Sequence, residues 1–170
     1  MQDLPPIIIS LTLDEVSAEF FNELRKQHFP SAINYIDAHL TLFHKLPAER
    51  EDLKEETRAL VSGFKAFTIE VTALQNLGRG VAYKLASEEL QQLHAALKRI
   101  WLPHLTPQDL QPFRPHITVQ NKVTPDEAGE LLKQLGNDFI PITAAATGIE
   151  MHSYLNGPWR LEEAIPFSRR

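Results

Sequence analysis

The octet HLTLFHKL begins at His39, and 77 residues after that histidine the chain reads HITVQNKV from His116. His39 and His116, Thr41 and Thr118, and Lys45 and Lys122 are identical between the two octets, while Leu40, Leu42 and Leu46 meet Ile117, Val119 and Val123, apolar for apolar. One histidine in a strand is usually packed or solvated; the same H-x-T written twice in matched surroundings needs a chemical reason. Two imidazoles on opposite sides of one phosphorus divide an in-line phosphoryl transfer, one taking a proton from the entering oxygen and the other giving one to the leaving oxygen. Two threonine hydroxyls beside them can donate to the non-bridging oxygens, where charge accumulates in the transition state. That division of labour needs no metal and no other cofactor.

Side chains alternate along a strand. His39, Thr41, Phe43 and Lys45 are therefore expected on one face and Leu40 and Leu42 on the other; Arg114, His116, Thr118, Gln120 and Lys122 likewise oppose Ile117 and Val119. On the polar face Phe43 is a platform on which a nucleobase could stack, with packing between lobes as the alternative. Lys45, Lys122 and Arg114 would supply positive field for a phosphate. His94 lies in a helical stripe and reads as structural, His44 should face away from His39, and His28, His104 and His152 show no useful partner spacing. Tyr83, Tyr154 and Trp159 read as packing residues and Arg79 as a solvated turn.

These residues must be positioned by the rest of the chain. PPIIISLTL reads as a buried strand, followed by a helix through DEVSAEFFNELRKQHF with Val16, Phe20, Phe21 and Leu24 as its stripe. A second helix runs through AEREDLKEETRALVSGF, with Leu53, Leu60, Val61 and Phe64 facing inward. FTIEVTAL and GVAYKLA alternate as strands about a Gly-Arg-Gly turn and should form a hairpin. Leu90, Leu93, Leu97, Ile100 and Trp101 mark the clearest helix, PHLTPQDLQPFRP a loop, and TPDE a helix start with Thr124 as cap, Pro125 in the first turn and Glu127 closing a capping box. A last hairpin turns at LNGP. Each half thus carries an H-x-T strand, a helix and a hairpin, with the motif strands at about 38–46 and 115–123. This order predicts one domain, residues 1–170, of two similar α+β lobes related by a pseudo-twofold axis, their antiparallel sheets facing a central cleft and helices outside.

Composition narrows the class. The 170 residues suffice for one core, and the absence of cysteine excludes a thiol nucleophile, a zinc-thiolate site and a disulfide framework. The N-terminus has no basic flank and too short an apolar run for a signal peptide or a membrane span, so a cytoplasmic protein is expected, and a monomer. A formal net charge of −5 argues against sequence-independent binding along duplex DNA, which many Lys and Arg contacts drive. It leaves room for a small nucleotide or an RNA terminus in a local basic pocket.

The paired H-x-T motifs, their separation and the lead-in FRPHITV, Phe113 to Val119, resemble the two-histidine (2H) phosphoesterase superfamily, in particular its bacterial RNA 2′-5′ ligase and cyclic phosphodiesterase branch. The likeness runs from IIISLTL to PWRLEEAIPF. It implies a bilobal fold, with His39, Thr41, His116 and Thr118 as the working residues, and hydrolysis of 2′,3′-cyclic phosphates to 2′-phosphates or cleavage and joining of 2′-5′ linkages. One departure stands out: Gln120 occupies the place where many relatives carry arginine. Two other readings compete: a non-catalytic RNA-end or nucleotide-binding module, and a metal-dependent hydrolase with His39, Asp37 and other carboxylates as ligands. The latter lacks a compact ligand motif of the H-E-x-x-H kind.

Overall fold

The computed structural model describes residues 3–168. Fourteen segments succeed one another: β1 (Ile7–Leu13), α1 (Glu15–His28), a 3-10 turn (Ser31–Ile33), β2 (Leu40–Leu46), α2 (Glu51–Ser62), β3 (Phe67–Asn76), β4 (Val81–Ala86), α3 (Glu88–Trp101), a 3-10 turn (Leu102–His104), α4 (Pro107–Leu110), β5 (His116–Gln120), α5 (Pro125–Asn137), β6 (Ile142–Tyr154) and β7 (Trp159–Pro166). Helix starts are chemically marked. The side chains of Asp14, Ser87 and Thr124 accept the backbone N–H of Ser17, Leu90 and Glu127, which satisfies donors that a first turn leaves free.

All strand pairings are antiparallel, and the path β2-β1-β6-β3-β4-β5 curls so that its two edge strands, β2 and β5, approach one another. Two four-stranded sheets result, β2-β1-β6-β7 and β5-β4-β3-β6, because β6 belongs to both. Its first part, Ile142 to Ala146, pairs with β3; the remainder, through Ser153, pairs with β1 and β7. Helices cover the convex side, α2 lying over β7 and α3, α5 over β3 and β4, and α1 over β5. Ile7, Ile9, Leu11, Ile69, Val71, Leu90, Leu93, Leu97, Trp101, Ile117 and Val119 fill the core between them. No helix among the described residues is long and apolar enough to cross a membrane.

The repeat begins earlier than the octets suggest. The units are β1-α1-β2-α2-β3 and β4-α3-β5-α5-β6, with α4 inserted before β5. The first helix of each unit crosses over: α1 packs behind β5, whereas α3 packs behind β2, where His94 reaches the Leu42 carbonyl.

Several local expectations are corrected. The buried stripe of α1 is Ser17, Phe21 and Arg25, with Val16 and Phe20 exposed, because the helix faces β5 through that edge. The proline-rich stretch after α3 is not all loop: Pro107, suited to a first helical turn, opens α4. Strand β5 stops at Gln120, and Lys122 sits beyond it at φ 60°.

Gly80 is where the β3–β4 turn meets β5. A Cβ there would lie 2.0 Å from the Gln120 carbonyl oxygen, whereas one on Gly129 in α5 meets nothing within 4 Å. Gly80→Ala is expected to lower stability in urea denaturation by about 2–3 kcal/mol, the range for overpacking. Gly129→Ala should raise it by about 0.5–1 kcal/mol through helix propensity.

Candidate active site

The two motif histidines are held in the same way. His39 Nδ1–H donates to the Asp37 carbonyl at 2.8 Å, and His116 Nδ1–H donates to the Arg114 carbonyl at 2.9 Å. Each bond reaches back two residues and fixes the neutral tautomer, leaving Nε2 with its lone pair directed elsewhere. Thr41 and Thr118 are half-buried, and neither hydroxyl is engaged by another protein group among the described residues. β2 and β5 converge, and the charge of His116 acts on His39, so the two motif histidines stand near one another.

The strands enforce this by a shared irregularity. Ser10 pairs with Thr41 and Ile9 with Phe43; Ala82 pairs with Thr118 and Val81 with Gln120. Both motif strands therefore carry a one-residue bulge directly after the threonine, at Leu42 and at Val119, and a bulge re-aims the side chains beyond it. Phe43 turns into the core at 0% exposure and stacks on His94, with ring centroids 4.7 Å apart; Gln120 is 7% exposed. Phe43 is therefore packed in the core, which corrects that expectation, while the buried Gln120 has no hydrogen-bond partner for its Oε1 among the described residues. Lys45 lies beyond the bulge and lines a separate groove of about 400 Å³ with Leu4, Pro6, His104 and Thr106. Lys122 is displaced into the turn after β5. Arg114 is exposed and contributes its carbonyl to His116. His44 bonds Asp109 in α4, through both its backbone N–H and its ring Nδ1. Asp37 offers His39 its backbone carbonyl, not its carboxylate.

Four further residues enter the site. Arg25 projects from α1, 4% exposed, donating to the Thr118 carbonyl at 3.1 Å and to Asn34 Oδ1 at 2.9 Å, with its guanidinium over the Phe29 ring. Burial lowers this group to about 10, and the charge of Asp37 opposes that. Its sequence signal was a cation at i+4 and i+8 from Phe21 and Ser17. Trp159, read as packing, lies against His39 at 4.5 Å between ring centroids, and His152 packs on the same indole at 5.3 Å. Lys84 is the register partner of His116, and the alternation of VAYKLA already sets it opposite the core residues Tyr83 and Leu85.

The two imidazoles differ in surroundings. His116 is exposed, whereas His39, though it keeps some solvent contact, is closely enclosed by protein. Burial pushes His39 down to about 4, the Asp37 carbonyl opposes, and positive charge at Arg25, His152 and His116 adds to the lowering. His94 is also lowered to about 4 by burial, with the Leu42 carbonyl opposing; it is structural, stacked between Phe43 and Phe113.

A curled antiparallel sheet carrying paired H-x-T strands across a cleft is the architecture of the 2H phosphoesterases. The structure is similar to that of TT0787 of Thermus thermophilus, with TM-score 0.68 and 16% identity over 95% of this chain and 97% of that one. It is also similar to E. coli LigT in its complex with 3′-AMP, with TM-score 0.59 and 19% identity over 98% and 100%. A structure described as a phosphoesterase aligns with TM-score 0.63 and 17% identity over 98% and 100%. The model of the 2′-5′ RNA ligase superfamily matches residues 13–158, and the chain belongs to that family. No curated protein matches it by sequence.

An imidazole whose folded pKa lies below its unfolded value near 6.5 stays neutral while the unfolded chain takes up protons. Its contribution to stability is intact above that value and is lost as pH falls through the folded value near 4. For His94, 6% exposed, a shift of that size corresponds to about 3 kcal/mol. Imidazole 15N spectra should show His39 and His94 neutral down to about pH 4, His39 protonated on Nδ1 and His94 on Nε2. Midpoints near 6.5 for both would contradict the enclosure described.

Proposed function

We propose that the protein is a metal-independent phosphodiesterase that opens 2′,3′-cyclic phosphates, on nucleotides or RNA ends, to 2′-phosphates. The observation that carries this reading is the matched pair of backbone-anchored imidazoles, each with Nε2 free, on converging strands that also present two unengaged threonine hydroxyls. Membership of the 2′-5′ RNA ligase superfamily supports phosphoesterase or ligase chemistry in general.

His39, held neutral by its enclosure, acts as the base. Its Nε2 takes a proton from a water that attacks phosphorus in line with the 3′ oxygen. His116 acts in its imidazolium form, protonated on both nitrogens: it gives the Nε2 proton to the departing 3′ oxygen, keeps Nδ1–H on the Arg114 carbonyl, and the phosphate remains on the 2′ oxygen. Thr41 and Thr118 donate to the non-bridging oxygens as their charge grows. With a 5′-hydroxyl in place of water the same displacement forms a 2′-5′ linkage, and its reverse cleaves one. A binding module for the same ends would need a cleft but no pair of imidazoles arranged for proton exchange.

His39→Ala and His116→Ala are each expected to lower turnover of nucleoside 2′,3′-cyclic monophosphates by about 10² to 10⁴, with folding intact. The double variant should lose far less than the product, since the pair acts as a unit. Activity should fall as pH drops through about 4, where His39 is protonated, and should persist in excess chelator. Wild-type turnover in a folded double variant, or none at all in the wild type, would refute the assignment.

A further inference from the structure

The β2-β1-β6-β7 sheet holds a cluster that the reaction above does not use. His152 Nε2 lies 3.0 Å from Glu150 Oε2 and 3.3 Å from Ser10 Oγ. Both partners meet the same nitrogen, so this is no Ser-His-carboxylate relay: Nε2–H is anchored, and Nδ1 is left available. The His152 and Glu150 side chains are 14% and 33% exposed, too enclosed for a surface pair and open enough to meet a ligand. Trp159 joins them to His39, touching both imidazoles.

Strand register places this cluster relative to the reacting phosphate. Thr41 pairs with Ser10 and Ser10 with Glu150, so the three stand in one row across β2, β1 and β6. Two strand spacings separate the ends of that row, about 10 Å between backbones. That is too far for Glu150 to share the phosphate held at Thr41, and it leaves room for a sugar between them. The hydrogen bond from His152 holds the Glu150 carboxyl below the usual carboxylate range, so the group is an anion and an acceptor. A second phosphate would be repelled there, whereas ribose hydroxyls and amino groups of a base are the donors it lacks.

We propose that Glu150, His152 and Trp159 form the subsite for the neutral nucleoside that bears the reacting phosphate, Trp159 being its wall and Glu150 and His152 its hydrogen-bonding floor. This rests on the phosphoesterase reading. It makes the β2-β1-β6-β7 sheet responsible for telling a nucleotide from phosphate alone.

The test compares inorganic phosphate with adenosine 2′-monophosphate by titration calorimetry on the full chain, in the wild type and in Trp159→Ala, Glu150→Gln, His152→Ala and the milder His152→Asn. Wild type should favour the nucleotide at least tenfold. Each variant should retain phosphate affinity, which also reports folding, while its preference for the nucleotide falls about fivefold or more. With cyclic nucleotides, KM should rise by a similar factor and kcat change less. Unaltered nucleotide preference in variants that still bind phosphate would overturn the subsite alone. Phosphate binding untouched by His39→Ala, with no turnover in the wild type, would overturn the phosphoesterase reading and the subsite with it.

Discussion

The geometry of the cleft depends on a buried guanidinium. Arg25 bonds Asn34 in the segment that leads into the first motif and the Thr118 carbonyl inside the second, so one side chain spans both copies of H-x-T. It has no carboxylate at ion-pair distance among the described residues; Asp37 acts on it through space, and the Phe29 ring covers it. A buried cation is expensive to desolvate, and a hydrophobic replacement is often no less stable. What an apolar side chain would not supply is direction: two donors fixed in a plane, set against acceptors from two lobes. The reciprocal tie is His94, which runs from α3 to the Leu42 carbonyl of the first motif strand and stacks on Phe113 in the lead-in to the second. Each crossover helix thereby fastens the motif strand of the other unit.

The same exchange makes the site unequal. A perfect twofold would give two identical imidazoles, and identical groups have no reason to hold different protonation states. Arg25, Trp159 and His152 all gather around His39, while His116 is open to solvent and neighbours Lys84. In the reaction proposed above, near-symmetry provides the two proton carriers and the departure from symmetry gives them different work.

The local elements are more legible in the sequence than the surroundings of the two motif histidines. H-x-T repeats, alternating strands, the Leu90 to Trp101 stripe and the Thr124 cap follow from local rules that short stretches obey independently. The bulges after Thr41 and Thr118 do not: alternation carries on through HLTLF on paper, but the structure inserts one residue and sends Phe43 inward. Arg25 was hidden for a related reason. Choosing which edge of α1 is buried requires knowing that it packs on β5, nearly a hundred residues away. His152 and Trp159 lie on the final hairpin, far along the chain from His39, and only the pairing of β6 with β1 brings them to it.

That pairing also bears on how the chain reaches this state. Strand β6 is 13 residues long and is made well after β1 and β3, yet it is the central partner of both. During synthesis neither sheet can close until residues 142–154 have left the ribosome, so β1 must wait with Ile7 and Ile9 unpaired on one side. Contacts of such long sequence separation slow folding, because the entropy of closing the loop is lost before the contact is gained. The strand that makes the two lobes one body is thus the one whose late arrival leaves the nascent chain longest exposed to misassembly.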